Sequence, residues 1–329
     1  MKITWQIITL QLKNVFRIAH GSSSQRQNVI VRVEEGIGEA AAVAYHGETP
    51  QGIISYLQKI QLEEDPLHLQ DLLRQLPDSG SRAARAGIDI ALHDLWGKRL
   101  GLPLYQLLGL NPHHTPLTSF TVSIDEPEIM AARAAASKMP IIKIKVGLDD
   151  ADEARVRAIR NATTAQLQVD ANGGWTREQA AAIIPRLAQY DLTMVEQPLP
   201  AGDIEGLRWL RQQNLGIPIF ADEAIKTPAD ILAHADAVDG VVIKLAKSGG
   251  IRPALEMISL ARTLDMQVMI GCMVETSVAV TAAAHISPLC DYADLDAPLL
   301  IANDPFRGIS YQGAKLQLPS GPGLGIIEN

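Results

Sequence analysis

Apolar and polar residues alternate over short runs in the first 45 positions, at residues 3–12, 28–34 and 40–45, which predicts three strands of a small antiparallel sheet. Between and after them, residues 16–26 and 45–48 break the alternation and read as polar loops rich in groups that can contact a ligand. Residues 50–109 read as helices. The strongest is 83–100, with Ile88, Ala91, Leu92, Leu95 and Trp96 on one face and Gly101-Leu102-Pro103 as a stop. From about residue 115 the period changes to short β-rich runs separated by Ala- and Leu-rich helical stretches. Eight such runs are expected, at 117–124, 141–146, 166–169, 194–195, 219–221, 240–245, 267–270 and 292–295.

Polar residues at the ends of these runs recur at an interval of one β/α unit. Lys145 to Asp170 is 25 residues, Asp170 to Glu196 is 26 and Glu196 to Asp222 is again 26. An eightfold series of this kind points to a closed TIM-type barrel, whose active sites lie at the C-terminal strand ends. A doubly wound open sheet is the alternative, but it would carry a glycine-rich phosphate loop after its first strand, and the chain has neither G-x-G-x-x-G nor G-x-x-x-x-G-K-[ST].

The run at 141–146 holds two lysines in an apolar strand, Lys143 and Lys145, and side chains two apart on a strand enter the same volume. At about 6–7 Å and an effective dielectric of about 20, their charges repel by roughly 2–3 kcal/mol, which favours loss of one proton and makes a base. Lys244 lies in the sixth run, diametrically across a closed barrel from Lys145. Asp170, Glu196 and Asp222 end the three runs between them, and converging carboxylates with no His or Cys among them suit Mg²⁺. Two bases flanking a metal-bound carboxylate permit removal of an α-proton from one face through an enediolate and its return on the other. Asp294 and Asp296 point the same way at the end of the eighth run and could hold a cation, a second metal or a substrate ammonium. Glu223 and Glu275 are candidates to orient the metal ligands or Lys244, while Thr121, Asn172 and Gln197 could bond to substrate or ligands. A lysine-imine aldolase barrel and a non-catalytic binding protein are the rivals from other classes.

Composition narrows the ligand class. A net charge of −8 without a basic block, and only 4% aromatic residues, argue against nucleic-acid or membrane-surface binding and leave a small molecule as the expected partner. The first residues lack the apolar core of a secretory signal and no uncharged stretch reaches membrane-spanning length, so a cytoplasmic protein is expected. Two cysteines, Cys272 and Cys290, are too few for a disulfide framework and are expected to be core thiols.

Together, Lys143-Ile-Lys145, Asp170-Ala-Asn172, Glu196-Gln-Pro198, Asp222-Glu223, Ile243-Lys-Leu245 and the helix at 87–98 resemble the enolase superfamily, muconate-lactonizing-enzyme subgroup, over nearly the whole chain. The resemblance implies a modified (β/α)7β barrel at residues 113–302 under an α+β capping domain at residues 1–112, completed by the tail at 303–329, with capping loops closing on the site. It also implies Mg²⁺ as cofactor and, because family members are commonly oligomeric, leaves a homo-oligomer as an expectation. Asp294-Leu-Asp296 resembles the motif with which dipeptide epimerases bind a free α-ammonium, which implies an L,X dipeptide as substrate. The neighbouring alternatives are an N-acyl amino acid racemase, an o-succinylbenzoate synthase and a cycloisomerase. The best-known epimerases use a capping-loop arginine for a glutamate side chain; here that position reads His20-Gly21, with Arg17, Arg26 and Tyr45 as the other candidates to touch substrate.

Overall fold

The computed structural model describes residues 1–329. Strands β1 (Ile3–Ile18), β2 (Gly21–Val33) and β3 (Gly36–Ala41) form an antiparallel sheet. Its Val29, Val31 and Val33 pack on Ile88, Ala91, Leu92 and Leu95 of the helix Arg82–Leu100 in a cluster of 18 buried residues, which makes this a core separate from that of the barrel. Sheet and helix touch backbone to backbone, since a Cβ on Gly38 would lie 2.0 Å from the Gly87 carbonyl oxygen. Ser81 caps the helix through its hydroxyl and Gly101, at φ 71°, ends it.

Residues 16–26 differ from expectation. They are not a loop: β1 and β2 run on as a two-stranded arm, pairing Phe16 with Ser23 and Ile18 with Gly21, with a register shift between Gln11 and Phe16. Beyond the shift neither face of β2 meets a core, so Gly21–Gln27 carries no apolar alternation by which a strand is read.

Eight parallel strands follow in sequential spatial order: β4 (Phe120–Val122), β5 (Ile141–Lys145), β6 (Gln166–Asp170), β7 (Leu192–Glu196), β8 (Ile219–Ala221), β9 (Gly240–Lys244), β10 (Gln267–Gly271) and β11 (Tyr292–Asp294). A parallel bridge between Thr118 and Ala293 joins the two edges. The chain is thus a TIM-type barrel with an N-terminal capping sheet and helix. Strand alternation sends Ile142, Ile144, Val169 and Ile243 outward into a core of 56 buried residues shared with the surrounding helices. Met194, Phe220, Val242 and Met269 point inward and form an apolar floor, and the charged strand ends stand above it.

Three buried acids tie the cap helix and sheet to the barrel, to the tail and to each other. Asp89 accepts from Ile251 N (2.6 Å), Asp94 from Ile37 N (2.9 Å) and Leu324 N (2.7 Å), and Glu39 from Thr276 N (3.0 Å) and Thr276 Oγ1 (2.6 Å). The tail touches both bodies: Phe306 packs with Ile30 and Ile37 of the cap sheet, whereas Ala314, Leu316 and Leu324 lie in the barrel core. No helix is long and apolar enough to cross a membrane.

Candidate active site

At the C-terminal end of β5 the pleat turns Lys143 and Lys145 inward, and both are buried. Their expected repulsion is offset by a shared counter-ion, for Asp170 Oδ2 lies 2.6 Å from Lys145 Nζ and 3.2 Å from Lys143 Nζ. Lys143 Nζ is also 2.7 Å from Glu196 Oε2 and 2.8 Å from Asp294 Oδ2. Burial works to lower its pKa, but Asp294, Glu196 and Asp170 outweigh it and hold the ammonium well above the ordinary lysine value. Lys143 is therefore the cation around which acids of three strands gather, a different electrostatic position from that of a free neighbour repelling Lys145.

Asp170, Glu196 and Asp222 close β6 and β7 and follow β8, and one oxygen from each lies within 4.8 Å of the others. Their chemistry fits a hard divalent cation. Glu196 Oε2, although close to Lys143 Nζ, is off the angle of a hydrogen bond, so neither buried Glu196 oxygen has a hydrogen-bond partner. Burial, and then the charge of Asp170, push this carboxyl well above the usual range. A buried acid in that position calls for a further cation.

Lys244 rises from β9 on the other side of the barrel with Nζ 2.7 Å from Asp222 Oδ2. Burial opposes its charge, but Asp222 holds its pKa well above the ordinary lysine value. Lys247, just past β9, is buried and bonds to the Asp222 carboxylate and carbonyl. Its three-residue spacing from Lys244, across the start of the short helix Leu245–Ser248, was the available signal. Lys145, Lys244, Thr121, Asn172, Asp294 and Asp296 all border one cavity of about 630 Å³ of empty space, which brings the two proposed bases and the paired acids of the last strand together.

The residues after the acid-bearing ends of β6 and β7 hold unusual backbone. Asn172 and Gln197 have φ of 44° and 38°, the left-handed region that costs a non-glycine residue on the order of 1 kcal/mol. Hydrogen bonds fix both. Asn172 N donates to Asp170 Oδ1 (2.8 Å) and its side chain to Glu223 Oε1 (2.9 Å); Gln197 Oε1 accepts from Asp222 N (2.8 Å). Glu223 thus braces Asn172, and Gln197 braces the strand end that bears Asp222. Glu275 lies farther out, accepting from Met273 N (2.9 Å) beside Glu39; burial, and then Glu39, push its carboxyl up to about 8.

Asp294 and Asp296 line the cavity but are held differently. Asp294 is engaged by Lys143 and by Ser119 Oγ (2.7 Å), whereas Asp296 Oδ2 accepts from Thr121 N (2.6 Å). Burial, then the charge of Asp294, raise Asp296 to about 7. The cap supplies the opposite wall with Phe16, Ile18, Arg26, Val43 and Tyr45. Arg17 does not reach it, because it alternates with the two residues that do and is exposed on the outer face of the arm. His20 is exposed at the tip, stacked on Tyr45 with ring centroids 5.3 Å apart, and borders an outer vestibule. Cys272, expected in the core, is half-buried on the cavity wall, while Cys290 is buried.

Residues 3–109 match the mandelate racemase/muconate lactonizing enzyme N-terminal domain and residues 128–327 the enolase C-terminal domain-like family. The chain belongs to the enolase superfamily. It is 40% identical to an L-Ala-D/L-Glu epimerase of Bacteroides thetaiotaomicron, over 100% of this chain and 88% of that protein. Among solved structures it resembles a dipeptide epimerase from Enterococcus faecalis, complexed with Mg and the dipeptide L-Leu-L-Tyr, at TM-score 0.92 and 36% identity over 98% of each chain. It also resembles an N-succinyl Arg/Lys racemase from Bacillus cereus at TM-score 0.93 and 30% identity, over 100% of this chain and 96% of that one.

Proposed function

We infer that this enolase-superfamily chain is an isomerase, a dipeptide epimerase that inverts the α-carbon of the C-terminal residue of an L,X dipeptide by two-base 1,1-proton transfer, with Mg²⁺ as its metal. The observation that carries the reading is that Lys145 and Lys244, from β5 and β9, border the same cavity as Asp294 and Asp296, with three acids between the lysines. Asp170, Glu196 and Asp222 are the residues that would hold the ion. When bound, Mg²⁺ supplies positive charge that anchors the substrate carboxylate and stabilises the charge growing there as the α-proton leaves.

The chain's own groups do the rest. Lys145 and Lys244 hold or take the α-proton at Nζ on opposite faces. Lys143 positions Asp170, Glu196 and Asp294, and Asn172, Gln197 and Glu223 keep the acid-bearing strand ends in place. Asp296, with Asp294 behind it, receives the free ammonium of the first residue, and Thr121 fixes Asp296. Phe16, Ile18, Val43 and Tyr45 pack against the side chain of the second residue, with Arg26 as the cation among them.

A second reading, racemisation of N-succinyl or other N-acyl amino acids, is favoured by one observation: Asp294 is already occupied by Lys143 and Ser119. Incubating a dipeptide library and a set of N-acyl amino acids in D₂O separates the two. Deuterium is expected at the α-carbon of the second residue of dipeptides, and Asp296→Asn is expected to weaken dipeptide use by at least tenfold without the same effect on N-acyl substrates. Turnover of acyl amino acids with none of any dipeptide would reverse the assignment.

A further inference from the structure

A second cavity, of about 560 Å³ of empty space, lies beside the first and shares Val43 and Met273 with it as a common wall. Its charged lining is mostly cationic. Arg82, from the first turn of the cap helix, and Lys226, from the segment after β8, are half-buried there and make no ion pair or side-chain hydrogen bond. Lys247 also borders it, but its ammonium is committed to Asp222. The one acid on the wall, Glu48, is spent on the helix end, where it accepts from Ser81 Oγ (2.6 Å) and Ala83 N (3.1 Å). Two cations that form no ion pair therefore border one cavity with a single carboxylate, which is turned to the helix end. Half-buried charges act in a medium less polar than water, and a guanidinium and an ammonium that border one cavity suit the oxygens of a phosphate, sulfate or carboxylate group.

We propose that this cavity is an anion site, in which Arg82 and Lys226 together bind a small oxyanion group. The group arrives either on a free ion or as the acidic side chain of a substrate reaching past Val43 and Met273. The proposal stands on the cavity alone and does not depend on the epimerase reading.

The test has two arms. In the first, sulfate is titrated calorimetrically into the Mg²⁺-loaded protein at fixed ionic strength. Saturable binding is expected, at least tenfold weaker in Arg82→Gln and in Lys226→Met, variants chosen to keep side-chain bulk and checked for an unchanged melting temperature. In the second, KM is compared for dipeptides with acidic and apolar second residues. A rise for the acidic ones alone in the same variants identifies the substrate as the source of the anion, and sulfate binding without that rise identifies a free ion. A folded Arg82→Gln/Lys226→Met protein that matches the wild type in both sulfate affinity and KM for acidic dipeptides overturns the proposal. Loss of turnover on every dipeptide in the wild type, with sulfate binding intact, would count against the epimerase reading and leave the anion site standing.

Discussion

Gly271 sits beside Lys244 in the β9–β10 register, and its missing side chain is what lets that lysine cross the barrel. A Cβ there would stand 3.0 Å from Lys244 Cε, 3.4 Å from Lys244 Cγ and 3.3 Å from Val242 Cγ1. Val242 is fully buried in the floor and has nowhere to go, so in Gly271→Ala the flexible lysine yields by a few tenths of an ångström and its Nζ leaves its place 2.7 Å from Asp222. A misplacement of about 1 Å costs on the order of 10²-fold in rate, so half of that costs about tenfold, or about 1.4 kcal/mol of barrier. The stability cost is expected to stay near 1 kcal/mol, because the strain is relieved by a long side chain and not by backbone. The assay is α-proton exchange in D₂O, run separately on each epimer at saturating substrate. Exchange from the face served by Lys244 is expected to fall about tenfold, with exchange from the Lys145 face nearly unchanged. Equal slowing of both epimers, or no slowing in a folded variant, would refute the assignment of Lys244 to one face.

Replacing Lys143 with Met strands the charge of Asp294 inside the barrel and removes one of the two lysines on Asp170, so metal-free protein should lose about 3–5 kcal/mol; denaturant melts with and without Mg²⁺ test this, and an unshifted metal-free midpoint would contradict it. Mg²⁺ at 100 times its dissociation constant should stabilise the wild type by about 2.7 kcal/mol, and Glu196→Gln should remove most of that shift; a variant with the full thermal shift would disqualify Glu196 as a ligand. Glu275, pushed from 4.5 to about 8 in the folded chain, keeps a proton that the unfolded chain releases, so its contribution is complete at low pH and declines as pH rises through that interval. Stability of the wild type relative to Glu275→Gln should therefore fall from about pH 5 to pH 8, by up to about 1.4 kcal/mol per unit, and parallel curves would show that the carboxyl ionises normally.

The barrel was legible because one β/α unit has a nearly constant length and each strand ends on a polar residue that an apolar run does not otherwise tolerate. That rule found Lys145, Asp170, Glu196, Asp222 and Lys244, which the structure gathers at one end of the barrel. The cap was less legible. The β1–β2 arm packs on no core, so its sequence carries no period, and without its strand register Arg17 and Arg26 look equivalent although only Arg26 borders the cavity. Lys143 was located correctly, but its surroundings were not foreseeable, because the acid of β11 that pairs with it lies 151 residues away. The partner of Lys247 was hidden for a related reason: a lysine just past a strand reads as a solvated or paired loop residue until Asp222 is seen to turn toward it.

Asp89 and Glu39 anchor the long helix and third strand of the cap to the barrel, and Asp94 ties that helix to the strand and to the tail, while the far end of the arm, from Ala19 to Gln25, carries no part of either main core. This rim of the outer vestibule, the doorway to the chamber, is thus the part of the entrance least loaded by folding. Exchanges at that doorway can alter which molecules are admitted while the reacting groups stay fixed, so a new preference can be acquired here without first relearning the chemistry.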